Sequence, residues 1–232
     1  MKQNLNCCLI PSVEGEDEKL LDFSMKYGEV EIFFRDISYH LANYISKYEV
    51  IVGCVAWMTH QIVLDPLINK PNVSIIVQKE DFLKPDINQR NNWKQRLHAA
   101  YNLIGGRLCR PQFPLAYDMS YCGDPTIEGV RCVGNYNRNK ASSPRMHNKF
   151  IIFCDMEENK DSYGYPFVIP KIVWTGSFNF SDCATKSFEN AVVIHNQEIA
   201  CAYLNEYSQI LALSEPLDWE HEWVAPEWRI GS

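Results

Sequence analysis

The sequence contains no uninterrupted apolar run approaching the ~20 residues that span a bilayer, which excludes a helical membrane anchor. It contains no C-x-x-C pair, so its nine cysteines do not form the usual zinc or redox spacing. They are scattered, and several, such as Cys54 in Val52-Gly53-Cys54-Val55, lie inside apolar runs. Buried free thiols in a reducing compartment are the simpler reading. A zinc site built from Cys7, Cys8 and a distant histidine has nothing else in its favour. Internal repeats and low-complexity linkers are absent. The stretch from Met1 to Gly15 is too short and too polar for a secretory leader, so a cytoplasmic location is expected. A basic excess is lacking too, because the formal net charge is -7. Taken alone, that weakens binding to a polyanion, which is largely electrostatic.

What is present is unevenly distributed. Arg131, Arg138, Lys140, Arg145 and Lys149 fall between positions 131 and 149 with no acid among them. The acids gather at Glu14–Glu18, at Glu157-Glu158 and between Glu215 and Glu227. A local basic surface on an acidic chain follows, with Arg131, Arg138, Lys140 and Arg145 as candidates for steering a polyanion.

Apolar periodicity predicts an α/β domain. Val30–Phe34, Val73–Val77, Val130–Val133, Lys149–Cys154, Ile172–Thr175 and Ala191–Ile194 are expected strands. Val50–Trp57 is nearly all apolar and suits a strand buried on both faces. Helical stripes run through Ile37–Ile45, Trp93–Ile104 and Ile199–Leu211, with a short helix expected near Ser181–Phe188. Alternation of strand and helix implies a mixed, largely parallel central sheet with helices on both faces, an α-β-α sandwich. Residues 1–28 read as an N-terminal extension and 29–232 as one domain, interrupted by an inserted loop at 156–170. Trp57–His60 follow the buried strand and read either as residues near the pocket mouth or, in preference, as packing and turn. Trp219, Trp223 and Trp228 read as aromatic groups packed on the domain's own surface.

Chemistry concentrates in two segments. In Met146-His147-Asn148-Lys149, His147 and Lys149 are two apart at the start of a strand and point to one face. In Gly176-Ser177-Phe178-Asn179, Ser177 and Asn179 are again two apart, after another strand, and Gly176 permits close backbone approach to a ligand. Glu189-Asn190 precedes a third strand. Neighbouring strands would gather an imidazole, an ammonium, a hydroxyl, a carboxamide and a carboxylate around one point. That set suits attack on phosphorus. His147 would be the nucleophile and Glu189 would hold its tautomer; Lys149, Ser177 and Asn179 would donate to the phosphoryl oxygens. No metal or other cofactor is needed for such a scheme. Plainer readings exist: Ser177 and Asn179 as helix caps, and Glu189 as a surface acid.

At these positions the sequence resembles the phospholipase D superfamily, whose signature is H-x-K-x4-D followed by G-S-x-N. His147-x-Lys149, Gly176-Ser177-x-Asn179 and Glu189-Asn190 carry the resemblance. It is similar in particular to the small bacterial nucleases of that superfamily that carry one motif. The motif acid falls on Cys154, one place before Asp155, so Asp155 is a candidate for that role only if a bulge shifts the strand. The resemblance implies a phosphodiesterase that forms a phosphohistidine on one histidine and protonates the leaving oxygen with a second. His40, His60, His98, His195 and His221 lack the H-x-K pattern, so the second is implied to be His147 of another copy in a homodimer. Small size, one motif and the basic loop favour nucleic acid, and an endonuclease is the leading expectation. A lipid or small phosphodiester is the alternative substrate. A non-catalytic nucleic-acid-binding or interaction module is the alternative role. No stable membrane association is expected.

Overall fold

A computed structural model of the chain describes residues 4–7, 20–84, 92–109, 120–121, 127–137, 143–158 and 166–226. Ten strands join one sheet: β1 Met25–Tyr27, β2 Val30–Phe33, β3 Val50–Val55, β4 Asn72–Gln78, β5 Leu108–Cys109, β6 Ser120–Tyr121, β7 Val130–Val133, β8 Lys149–Glu157, β9 Phe167–Gly176 and β10 Ala191–Ile194. Among the described residues four α-helices accompany them: α1 Ile37–Lys47, α2 Gln61–Ile68, α3 Asn92–Leu103 and α4 Gln197–Ala212. The main path across the sheet is β1-β2-β10-β9-β8-β3-β4-β7, with β6 joining β9 and β5 pairing β6.

Alternation along each strand feeds two cores. Ile51, Ile75, Ile151, Phe153 and Trp174 face one side, where Leu41 and Ile45 of α1, Leu64 and Leu67 of α2 and Leu97 of α3 cover them. Val50, Val52, Cys54, Ile152 and Val173 face the other, under Leu204, Tyr207 and Leu211 of α4. Every residue of β3 is therefore buried, which is why its sequence shows no polar alternation. The helix α4 starts at Asn196, whose side chain accepts the Ile199 N–H at 3.0 Å.

The mixed sheet with helices on both faces is as expected, but parallel pairing is limited. It is confined to β3–β4 and β4–β7; every other described strand pairing is antiparallel. The helical crossovers that enforce parallel pairing lie only in the first half of the chain. Met25–Tyr27 pairs with β2, so the sheet starts inside the expected N-terminal extension. The strands β8 and β9 run to Glu157 and from Phe167, so the two ends of the expected insertion are strand. The expected helix near Ser181–Phe188 is a single 3-10 turn, Ala184–Lys186. Cys109 is disulfide-bonded, which corrects the reading of all cysteines as free; Cys54, Cys132, Cys154, Cys183 and Cys201 are free thiols. Among the described residues, no helix is long and apolar enough to cross a membrane.

One consequence of this topology matters for the site. The start of β8 pairs with the end of β3, Lys149 against Val55. Its next residue pairs with Thr175 near the end of β9, and Gly176 then pairs with Ala191 at the start of β10. The end of β4 is parallel to that of β3. All these strand ends share one edge of the sheet.

Candidate active site

His147 stands at that edge just before β8, exposed, while Lys149 is buried to 8%. The Lys149 ammonium lies 3.2 Å and 3.3 Å from the two ring nitrogens of His147 and donates to the His147 carbonyl at 3.0 Å. Desolvation, followed by the charges of Lys149 and Arg145, lowers the imidazole's pKa below the ordinary histidine value. Neutral His147 therefore dominates at neutral pH, the form that has a nucleophilic lone pair. Desolvation also lowers the pKa of Lys149, opposed by the negative charge of Glu189.

Across the row, Ser177 donates its hydroxyl hydrogen to the Glu189 carboxylate and accepts the Asn190 N–H at 3.0 Å. The Ser177 N–H in turn donates to the Asn190 carbonyl at 3.1 Å. Glu189 thus holds Ser177; the ring nitrogens of His147 meet Lys149 and, among the described residues, no carboxylate. This corrects the expected Glu189–His147 pairing. It also means that Ser177 must release Glu189 before it can donate to a phosphoryl oxygen. Gly176 has φ 153°, and a Cβ there would run into the Asn190 carbonyl and lie 2.9 Å from the Ala191 Cα. Close approach at Gly176 is to β10, its neighbouring strand, rather than to a ligand as expected.

The two motif segments meet through Trp57. The Phe180 N–H donates to the Trp57 carbonyl at 2.9 Å, and the Trp57 ring meets His147 edge-on with centroids 6.3 Å apart. Asn179, next to Phe180, is half-buried, and its Oδ1 is shielded without a hydrogen-bond partner. A shielded acceptor of that kind is held ready for a donor that binding can bring. Trp57 read as packing and turn in the sequence; here it walls the imidazole.

Other expected site residues lie elsewhere. Arg131 is 1% exposed on β7, bonded to Glu128 and to Ser214 at 2.8 Å and 3.0 Å, so it cannot steer a polyanion. A four-residue strand buried on both faces carried it inward. Asp155 is six residues along β8 from Lys149, about 20 Å at strand rise. Its carboxylate faces Lys171 at 4.0 Å. The register shift does occur between Phe153 and Cys154, but the extra residue, Lys171, is on β9. The bulge therefore leaves Cys154 buried and does not bring Asp155 to the site. Arg145 is at the site, paired with Glu80 at 3.3 Å. Arg138 and Lys140 lie outside the described residues. No group of three or more His, Cys, Asp or Glu suited to a metal ion occurs among the described residues.

Fold and site define an α/β sandwich with an imidazole–ammonium pair at one sheet edge. No family model matches the chain. It is 29% identical over 202 residues to an uncharacterised protein of Acanthamoeba polyphaga mimivirus, covering 83% of this chain and 69% of that one. Among solved structures, NucT from Helicobacter pylori aligns at TM-score 0.47 and 16% identity over 78% of this chain and 94% of its own. A phospholipase D family member, Nuc from Salmonella typhimurium, aligns at 0.44 and 18% over 80% and 95%. Both TM-scores lie below 0.5, so neither likeness assigns an activity or a site residue to this chain.

Proposed function

We propose that this chain is a metal-independent phosphodiesterase acting on DNA or RNA, with His147 as nucleophile in a homodimeric site. The observation that carries this reading is the Lys149 ammonium set against both ring nitrogens of a solvent-facing imidazole. A neutral His147 nitrogen attacks phosphorus, and a phosphohistidine bond forms as the P–O bond to the leaving strand breaks. Lys149 and the Asn179 amide donate to the non-bridging oxygens as charge builds there. The leaving oxygen takes its proton from His147 of the partner subunit in its imidazolium form, so the active dimer pairs one neutral with one protonated His147. That same group then removes a proton from the water that hydrolyses the phosphohistidine, which restores both imidazoles.

What surrounds the nucleophile supports the reading that a partner copy supplies the acid. His60 is near, since its N–H donates to the Phe180 carbonyl at 2.8 Å. Its Nδ1 is committed to Asp182 at 2.6 Å, and its Nε2 is shielded from solvent. His60 as it stands therefore presents no exposed ring nitrogen to a leaving oxygen. Arg145 beside the imidazole favours a polyanionic strand over a lone headgroup.

A radiolabelled single-stranded DNA oligonucleotide incubated in EDTA and quenched in acid tests the reading. Label is expected on wild-type protein and not on His147→Ala, whose cleavage falls to background. Cleavage by the variant at the wild-type rate sinks the proposal, as does a lack of cleavage of DNA and RNA by either protein. General acid catalysis contributes typically about 10²–10⁴-fold, so dilution to monomer costs at least that much. A sedimentation-equilibrium mass of one chain at micromolar concentration contradicts the shared site.

A further inference from the structure

Three consecutive side chains leave the end of β4 at the site edge, and the chemistry above uses none of them. Gln78, 1% exposed, accepts the Met146 N–H on Oε1 at 2.7 Å and donates its amide to the Asn135 carbonyl at 2.8 Å. Room for this bond comes from Gly134, at φ 104°, where a Cβ would meet the Gln78 side-chain oxygen and lie 3.0 Å from the Met146 nitrogen. Lys79 turns the other way, into the C-terminal segment. Glu80 accepts from the Trp57 indole N–H at 3.2 Å and from Arg145 at 3.3 Å on the same oxygen.

Arg145 and Met146 are the two residues that precede His147, and Trp57 is the ring against it. The peptide that presents the imidazole, the cation beside it and the wall behind it are therefore each tied to Gln78 or Glu80. Resting on the reading of His147 as nucleophile, we propose that Gln78 and Glu80 are positioning residues for it. Gln78 fixes the backbone from which His147 projects. Glu80 holds Arg145 and Trp57 at its flank and offsets the charge of Arg145. Groups facing the imidazole are Lys149 and Arg145 from its own segment; Glu80, beyond β4, acts through Arg145, and Glu189, before β10, acts through Lys149. Loss of the Glu80 charge alone leaves the two cations less compensated and favours the neutral ring.

Glu80→Gln keeps an acceptor oxygen in place and removes only charge. Its expected signature is a His147 imidazole titration, followed by NMR on the full chain, that moves to lower pH while the melting temperature is retained. Gln78→Met keeps volume and removes the acceptor of the Met146 N–H. Here kcat on a single-stranded oligonucleotide should fall by about 10²-fold with KM little changed, the cost of a displaced reacting group. The positioning proposal is overturned if the His147 titration in Glu80→Gln is unmoved or goes to higher pH. It is equally overturned if Gln78→Met lowers kcat only in proportion to a loss of folded protein. The titration needs no substrate. Absence of activity in wild type would thus defeat the nuclease reading while leaving the Glu80 result to stand or fall alone.

Discussion

A buried ammonium is among the ties that bind the C-terminal segment to the domain, and cutting it gives a stability change with a calculable size. Lys79 is 0% exposed, forms an ion pair with Glu215, which is 6% exposed, and donates to the carbonyls of His221 and Trp223 at 2.8 Å and 2.7 Å. It also lies 5.1 Å over the ring of Trp219. Lys79→Met keeps the stem and deletes the charge, which strands a buried carboxylate. Breaking one side of a buried pair costs about 3–5 kcal/mol, mostly from the charge left behind. For a domain of this size each kcal/mol lowers the melting temperature by about 2–4 °C, so a fall of about 6–20 °C is expected. The double variant Lys79→Met/Glu215→Leu removes both charges, and replacing a whole buried pair by apolar groups is often neutral. It should recover about 1–3 kcal/mol of the loss. The remainder reflects the two carbonyls that lost their donor, at about 1 kcal/mol each. Calorimetric melting of wild type, both single variants and the double variant closes the cycle. If Lys79→Met melts with wild type, or the double variant is as unstable as the sum of the singles, the buried-charge reasoning is wrong.

Two further perturbations test the site. Lys149→Met removes the like charge that helps to hold the imidazole's pKa down, so the His147 titration should move to higher pH. The sign carries over to the proposed catalysis, in which the neutral ring is the nucleophile: the acid limb of kcat/KM, expected below pH 6.5 in wild type, should move up. An NMR titration without that rise would show that Lys149 does not set the imidazole's charge. In folding, a depressed histidine pKa means that the unfolded chain binds more protons just below pH 6.5, so this group's contribution to stability falls as pH falls through that window. Gly176→Ala drives a methyl group into the Asn190 carbonyl and should cost about 1–3 kcal/mol in urea unfolding, because β9 and β10 must part. Unchanged stability would place the strands further apart than described.

The sequence made some of this readable because burial and period left marks in it. The stretch Val50–Val55 is continuously apolar since both its faces are covered, and such a run identifies a central strand. The same property hides direction: a strand buried on both faces has one composition whether its neighbours run parallel or antiparallel, so a largely parallel sheet was expected where parallel pairing stops at β3, β4 and β7. His147 with Lys149 was legible because a period of two puts alternate residues on one side of a strand. The partner of Glu189 was not, since carboxylate geometry depends on which neighbouring strand end lies nearer, and sequence spacing does not encode that. Arg131 stood out as one of a basic group, yet it is buried and its charge is spent on the exposed Glu128.

Gln78-Lys79-Glu80 shows the same limit from the other side. As sequence it is an ordinary polar triplet after a strand, of the kind that usually faces water. Its burial comes from segments far along the chain: residues 215–224 fold over Lys79, and residues 135 and 146 converge on Gln78. The proposed nucleophile can be named from its own neighbours because one short segment, at the entry to β8, carries the whole H-x-K pattern. Its supports cannot, because they become neighbours only when β3 and β4 end on the edge where β8 begins. A sheet edge of this kind collects chemistry from one pair of segments and rigidity from others. A search of sequence for catalytic residues finds the first set and passes over the second.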